Sequence, residues 1–350
     1  MLTAAALGST ACDPAMLGPA SPESVTRRSQ RSIAAPFVVE VRQKCQEDPA
    51  ASATTRRITP SCGEADARRG ETDLAPTSNR VHRWRMPSQP TRRLALTRDI
   101  SPAIENCELT HLERTTIDLT RARAEHNEYE AALRALGYEV KRLPSGPDMP
   151  DSVFIEDAAI VLDELAVIMR PGAESRRVET TAVAEAVKTY RPVAAILAPG
   201  TIDGGDVLRI GRRLYVGVGY RSNDGGVKQL GAIVSSQGYS VEAVQFQGCL
   251  HLKSAVTLVA DDMVLINPEW VDADRFQPLR TIDVDPSEPY AANALLIDGT
   301  VVYPAEHVRT RKRLEAAGLT VHPVPAGELA KAEGGVTCCS LLLINWGTGD

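Results

Sequence analysis

A thiol, an imidazole and a group of carboxylates, each on its own polar stretch, are the residues of this sequence best suited to covalent chemistry. Cys338 stands in E-G-G-V-T-C-C-S, Glu333 to Ser340, and His251 in C-L-H-L-K-S, Cys249 to Ser254. Acids crowd D-S-V-F-I-E-D, Asp151 to Asp157, and A-P-G-T-I-D-G-G-D, Ala198 to Asp206. Each feature alone has an ordinary explanation. A buried cysteine is usually a small hydrophobe, a histidine between two leucines is more often a satisfied core residue, and three acids can mark a solvated turn. Together they meet the needs of nucleophilic catalysis on a cationic carbon: carboxylates to receive the cation, a thiolate to attack it, a histidine to move protons. The glycines of the second stretch do not suit a phosphate, which Asp203 and Asp206 would repel, and no helix start follows them. Strand alternation would place Asp151 and Asp157 on one face and Glu156 on the other, unless a bend redirects one carboxylate. It would likewise send Cys338 and Cys339 to opposite faces, so that at most one reaches a site.

The elements that must carry these residues repeat. Apolar positions at helical spacing run from Leu119 to Leu136, Gly137 closes the helix, and a strand Tyr138 to Val140 follows. The same order returns at Gly225 to Gly238 with Tyr239 to Val241, and at Thr310 to Gly318 with Leu319 to Val321. A fourth helix, Glu174 to Tyr190, leads to a strand at Val193 to Leu197. A polar loop and a second apolar strand come next in each unit, at Ala158 to Leu162, Val207 to Ile210, Ala255 to Val259, Ala294 to Ile297 and Leu341 to Ile344. With Asp157, Asp206, Lys253, Asn293 and Cys338 as markers, the loops lie 49, 47, 40 and 45 residues apart. Such a period marks a repeated supersecondary unit of the propeller kind, in which equivalent loops meet on one axis. The alternative is the ordinary alternation of an α/β protein.

Composition divides the chain of 350 residues. Residues 1–90 carry 12 basic and 9 acidic residues, the remainder 27 and 36, so the two parts have opposite net charge. The first part is rich in Ala, Ser, Thr, Pro and Arg without a sustained apolar period, and reads as a disordered extension. Pro14 interrupts any secretory signal, and nine acids weigh against an organelle leader. An upstream start codon is the favoured reading, with Met86 as the natural start before Leu94-Ala95-Leu96. No apolar run approaches the roughly 18 residues of a membrane span, and a pI of about 5.7 gives no nucleic-acid footprint. Seven scattered cysteines without a C-x-x-C pair argue against a disulfide framework and structural zinc, which makes a reducing cytoplasm the expected location.

Six motifs together resemble the dimethylarginine dimethylaminohydrolase family: D-S-V-F-I-E-D, R-P-G-A-E-S-R-R (Arg170 to Arg177), D-G-G-D-V-L (Asp203 to Leu208), L-H-L-K-S (Leu250 to Ser254), Y-A-A-N (Tyr290 to Asn293) and G-G-V-T-C-C-S (Gly334 to Ser340). The resemblance runs from about Leu94 to Ile344 and excludes residues 1–90. It implies an α/β fold of the pentein type, a five-bladed α/β propeller over residues 93–350. It further implies Cys338 as nucleophile, His251 as general acid/base and Asp203 as the carboxylate orienting the histidine, where some bacterial relatives have glutamate. Glu156 and Asp157 would lie near the substrate guanidinium and Asp151 near its α-ammonium. Arg176 and Arg221 would bind the α-carboxylate, and Ala332 would offer a backbone carbonyl. A lid would fall within Ser101 to Leu112, near Cys107.

The implied reaction converts an N-methylated arginine to citrulline and an amine through an adduct on Cys338, with no cofactor and no required metal. A zinc ion bridging Cys338 and His251 would inhibit. The partner is a small molecule rather than nucleic acid or membrane, and the resemblance allows a homodimer. Hydrolysis of unmethylated arginine is the nearest alternative, though about 255 residues leave little room for the helical insertion those relatives usually carry. A non-catalytic arginine-binding protein on the same scaffold is the second.

Overall fold

The computed structural model describes residues 92–345. The extension 1–90 and the candidate start at Met86 lie outside them. The described chain forms five three-stranded sheets. In chain order the elements are β1 (Arg93–Arg98), α1 (Leu119–Ala135), β2 (Glu139–Leu143), β3 (Ala159–Val161), β4 (Ala166–Ile168), α2 (Thr180–Val187) and β5 (Val193–Ala195). They continue with β6 (Val207–Ile210), β7 (Arg213–Val218), α3 (Asp224–Val234), β8 (Ser240–Gln245), α4 (Leu252–Ala255), β9 (Val256–Ala260) and β10 (Met263–Ile266). The remainder are β11 (Arg280–Asp283), β12 (Leu295–Ile297), β13 (Thr300–Pro304), α5 (Val308–Ala316), β14 (Thr320–Val324), α6 (Gly327–Ala330) and β15 (Leu341–Ile344).

Every sheet has the same wiring. Its middle strand pairs antiparallel with one neighbour and parallel with the other, as in β3-β4-β5 and β6-β7-β8. Only the parallel pair needs a long crossover, and a helix supplies it in four of the five units. Asp118 starts the first of these helices, accepting hydrogen bonds from Thr120 N at 2.9 Å and Arg121 N at 3.1 Å. Gly137, Gly238 and Gly318 end three of them at φ +88°, +78° and +86°, a conformation glycine reaches without a Cβ clash. The fourth unit replaces its helix by one turn at Ala273–Phe276, which explains why its loop spacing is the shortest.

The remaining sheet joins distant parts of the chain. Leu341–Ile344 pairs antiparallel with β1, placing Leu343 opposite Leu94 and Leu341 opposite Leu96. This closes the ring. The inner strands β3, β6, β9, β12 and β15 line an axial cavity of about 280 Å³, and Glu156, Lys253 and Thr337 also border it. Apolar side chains fill the spaces between neighbouring blades; Ile160, Val167, Ile202, Val207, Leu214 and Leu230 form one such core. The five-bladed α/β arrangement expected from the loop spacing is therefore present.

Three local expectations fail. Residues 155–158 form a single 3-10 turn rather than a strand, so Glu156 and Asp157 project by turn geometry instead of alternation. Cys338 and Cys339 also lie in a turn, and both are buried. The helix expected from Glu174 begins as a 3-10 segment, Glu174–Glu179, and becomes α-helical at Thr180. Among the described residues no helix is long and apolar enough to cross a membrane.

Because Leu343 is fully buried in the closing seam with Leu94 and Leu96, Leu343→Ala is expected to lower stability by about 2–5 kcal/mol. Ile344→Ala, at a half-exposed neighbour, should stay within about 0.5 kcal/mol. Urea unfolding of both variants measures the contrast, and equal losses would contradict the seam's role.

Candidate active site

His251 directly precedes α4 in extended conformation, and that short turn aims its ring at the second loop. Nε2 lies 3.1 Å from Asp203 Oδ2, and Nδ1 lies 3.9 Å from Asp157 Oδ1. Both carboxylates are anchored by backbone: Asp203 Oδ1 accepts from Gly172 N at 2.8 Å, and Asp157 Oδ1 from Gly205 N at 2.9 Å. A Cβ at Gly205 would stand 2.6 Å from His251 Nδ1, so this glycine is required by close approach of the imidazole. Behind them Ser222 Oγ accepts from Asp203 N at 3.1 Å and donates to Asp206 Oδ2 at 2.6 Å. Asp206 Oδ1 in turn accepts from Leu252 N at 2.9 Å, fixing the turn that carries His251.

The third and fifth loops meet the first through Glu156. Its carboxylate pairs with Lys253 Nζ and accepts from Thr337 Oγ1 at 2.9 Å. Asn293, from the fourth loop, completes the ring. Its Nδ2 donates to Thr337 Oγ1 at 3.0 Å and to Lys253 O at 3.1 Å, while its Oδ1 accepts from Thr337 N at 3.0 Å. Glu156 N also donates to Cys338 O at 3.1 Å. The expected convergence of five polar loops is thus made by named hydrogen bonds. Cys338 is only 7% exposed; its Sγ accepts from Gly335 N at 3.3 Å and lies 3.9 Å from Thr337 Oγ1.

Electrostatics set the resting protonation. Burial raises the Cys338 thiol, and the charges of Glu156 and Asp157 push it further up. Burial works against the His251 imidazolium, but Asp157, Asp203 and Asp206 outweigh it and raise the ring to about 9. Burial likewise opposes the Asp157 carboxylate, yet His251 and Arg176 hold it below its usual range. Burial lifts Asp206 to about 7 despite His251 and Ser222. At neutral pH the pair is therefore a thiol and an imidazolium. Six carboxyl side chains (Asp151, Glu156, Asp157, Glu179, Asp203, Asp206) surround four cationic groups (Arg176, Arg221, His251, Lys253), all buried or nearly so. The excess of acids favours a cationic guest.

The two arginines expected to share a carboxylate are unequal. Arg176 is committed to the protein: Nη1 donates to Asp157 Oδ2 at 2.6 Å, Nε and Nη2 to Glu179 at 3.2 and 2.9 Å. Nη2 also donates to Asp151 O and Phe154 O, each at 3.1 Å. Arg221, by contrast, has a buried Nη1 with no hydrogen-bond partner among the described residues. Asp151 is 4% exposed, and both its oxygens accept from Glu108 N, at 3.3 and 3.1 Å. Ala332 is buried beside Glu333, which holds a φ of +59°. In the stretch where a lid is expected, Cys107 is packed in the core, while Glu108 N donates to Asp151 and Leu112 N to Glu333.

A family model described as arginine deiminase matches residues 146–290. The N(G),N(G)-dimethylarginine dimethylaminohydrolase of Pseudomonas aeruginosa is 37% identical over 226 residues, 64% of this chain and 89% of the relative. Its namesake in Streptomyces coelicolor is 41% identical over 259 residues, 74% of this chain and 98% of the relative. The chain belongs to the dimethylarginine dimethylaminohydrolase family. A solved structure of a mutant of the Pseudomonas aeruginosa enzyme complexed with citrulline aligns at a TM-score of 0.69 and 34% identity, covering 71% of this chain and 98% of that one. The N-terminal domain of ArgZ, an arginine dihydrolase, aligns at 0.64 and 21% identity over 72% and 97%, a likeness of fold.

Among the described residues, the donor atoms of Asp157, Asp203 and His251 lie within 4.8 Å of one another, with both imidazole nitrogens facing carboxylates. Reasoning from sequence also passed over Thr337, Ser222, Glu179 and Glu333 as site residues, and used Asp206, Lys253 and Asn293 only as loop markers. Thr337 stands inside the motif G-G-V-T-C-C-S, and Glu333 directly before it. Ser222 and Glu179 carry no signal of their own, since only the fold brings them to Asp206 and Arg176.

His251 gains its proton affinity on folding, from an ordinary value near 6.5 to about 9. Its charge therefore stabilises the fold fully below about pH 6.5 and ceases to do so as pH rises through about 9. The stability advantage of the wild type over His251→Gln should accordingly shrink by up to about 3 kcal/mol between pH 6 and pH 9.5. Urea unfolding at fixed ionic strength measures it, and an advantage that grew with pH would refute the assignment.

Proposed function

We propose that this chain hydrolyses Nω-methylated arginine, asymmetric dimethylarginine and monomethylarginine, to L-citrulline and the corresponding methylamine. The observation that carries the reading is a buried thiol, Cys338, held protonated near Glu156 and Asp157, with the His251 imidazolium bonded to Asp203 and facing that same Asp157. Family membership supports it, as do relatives captured with citrulline and as an adduct with S-methyl-L-thiocitrulline.

The chemistry follows from the charges. A guanidinium arrives as a cation and is received among Asp157, Glu156 and Asp203. Its charge offsets the carboxylates that hold the Cys338 proton, so the thiol loses that proton to solvent on binding. The thiolate attacks the central carbon and forms a neutral tetrahedral adduct. His251, already an imidazolium, protonates the methylated nitrogen as its C–N bond breaks. The amine departs, leaving an S-alkylthiouronium on Cys338 and a neutral imidazole. His251 then takes a proton from water, whose oxygen adds to the same carbon. Collapse breaks the C–S bond, and the added hydroxyl's proton returns to sulfur, giving citrulline and the resting thiol. Asp203 keeps the ring oriented throughout, and Asp206 holds the turn beneath it.

At the other end of the substrate, Asp151 receives the α-ammonium and Arg221 the α-carboxylate. Arg176 contributes field rather than a free fork, since its nitrogens are already bonded. The arginine deiminase family match favours, as a second reading, the same chemistry on unmethylated arginine. Citrulline release from both substrates, measured side by side, separates the two. We assign the catalytic unit to residues 93–350.

Cys338→Ser should abolish turnover while Cys339→Ser retains most of it, and a chain begun at Met86 should keep the full-length kcat. Citrulline assays on the three proteins test this; the reverse order of the two cysteines, or a lost kcat, would overturn the respective assignment.

A site built to bond a carboxylate rejects an analogue lacking it by roughly 10⁴-fold. Agmatine, arginine without its carboxylate, should show a kcat/KM at least about a thousandfold below the best methylarginine. Arg221→Ala should narrow that gap more than Arg176→Ala in a paired comparison of both compounds. Comparable wild-type values would favour an agmatine-type enzyme.

A further inference from the structure

We propose that Glu333 is a positioning residue that latches the strap Glu108 to Leu112 onto the loop that bears Cys338 and so governs capture and release of substrate. One of its oxygens, Oε1, accepts three consecutive backbone N–H groups: Thr110 at 3.0 Å, His111 at 2.5 Å and Leu112 at 2.7 Å. Successive amides converging on one anionic oxygen form a small cradle, and each bond is strengthened by the charge. At its other end the strap donates Glu108 N to Asp151. In between, the Glu108 carboxylate accepts from Ser175 Oγ at 2.6 Å, and the His111 ring meets Tyr220 edge-on with centroids 5.3 Å apart. The strap thus crosses from the first loop to the fifth, touching the blade that carries Arg221 on the way.

Two features separate Glu333 from a routine surface acid. It occupies the left-handed region at φ +59°, which costs a residue with a Cβ and persists only where the surroundings fix it. Its second oxygen, Oε2, is buried and has no partner among the described residues, although the cavity of about 230 Å³ that Glu333 lines with His111 and Leu112 adjoins it. The residue also sits directly after Ala332 and five positions before Cys338. One side chain therefore ties the cover of the site to the loop that bears the thiol. Opening the strap exposes its three amides to water, which can replace the carboxylate, so the contact can break and re-form without orphaning a buried group.

The kinetic part of this inference rests on the hydrolysis proposed above; the structural part does not. Amide hydrogen exchange, read by mass spectrometry on the ligand-free full-length chain, compares the wild type with Glu333→Ala and Glu333→Gln. Glu333→Ala should speed exchange of residues 108–112 by about tenfold or more while the sheets keep wild-type protection. The KM for dimethylarginine should rise in parallel, with adduct formation on Cys338 at saturating substrate close to the wild-type rate. Glu333→Gln should restore most of the protection, because its amide oxygen can take the three N–H groups and its nitrogen can occupy the unpartnered position. Unchanged exchange at 108–112 in Glu333→Ala, even with a raised KM, would overturn the latch and point to direct contact with ligand. Faster exchange across the whole domain would overturn it in favour of a structural role. A wild type that leaves dimethylarginine unhydrolysed would count against the proposed reaction alone, and exchange would still decide the latch.

Discussion

Glu156 and Asp157 are neighbours in sequence, both nearly buried, and two adjacent carboxylates cannot leave water together unless each finds its own cation. The 3-10 turn that carries them resolves this by pointing them apart. Glu156 meets Lys253 and Thr337 on the axis, while Asp157 meets Arg176 and faces His251. Much of the site follows from that division. Lys253 must come from the third loop, Thr337 must stand beside the thiol, and Asn293 must orient Thr337. Removing one member of such a buried pair leaves an uncompensated charge, a loss of about 3–5 kcal/mol. The catalytic apparatus and the ring's stability therefore depend on the same contacts.

The same arrangement explains why the thiol rests protonated. A protein that needed a standing thiolate would surround it with cations, as at a helix N-terminus or beside a histidinium. Here the carboxylates dominate the surroundings of Cys338, and the imidazolium is held toward Asp203 and Asp157. In the proposed reaction, Cys338 stays dormant until a cation arrives. Such an order of events couples activation to the presence of substrate and spares the resting enzyme a reactive sulfur.

Much of this was legible in the sequence because it depends on repetition and on glycine. Loops spaced by 40 to 49 residues, and glycines closing three helices, report topology directly. The resemblance of six motifs assembled the site residues that periodicity alone could not. What failed were inferences from local alternation. The stretch Asp151 to Asp157 and the pair Cys338-Cys339 look like strand edges, yet turns fit there because loops that meet on an axis must bend. Arg176 shows a different limit. Its sequence context marks it as important without saying whether its guanidinium is free, and only the fold reveals that Glu179 and Asp157 have claimed it. Glu333 was invisible for the opposite reason, since the amides it binds belong to a segment 221 to 223 residues away.

The ring is closed by two strands from opposite ends of the described chain, β1 and Leu341–Ile344, and Cys338 lies only three residues before the second of them. A ribosome delivers these parts in order. The acids of the first two loops and His251 are made while the seam is still open, and neighbouring blades can begin to pack as they appear. The sulfur and the closing strand emerge together, after every other described element. Pairing between elements so distant in sequence is slow to form. Until it forms, Glu156 has neither the Thr337 hydroxyl nor the Cys338 carbonyl to hold it in place. During biosynthesis, therefore, competence is acquired in a single late step: the fold is sealed and armed by the same few residues.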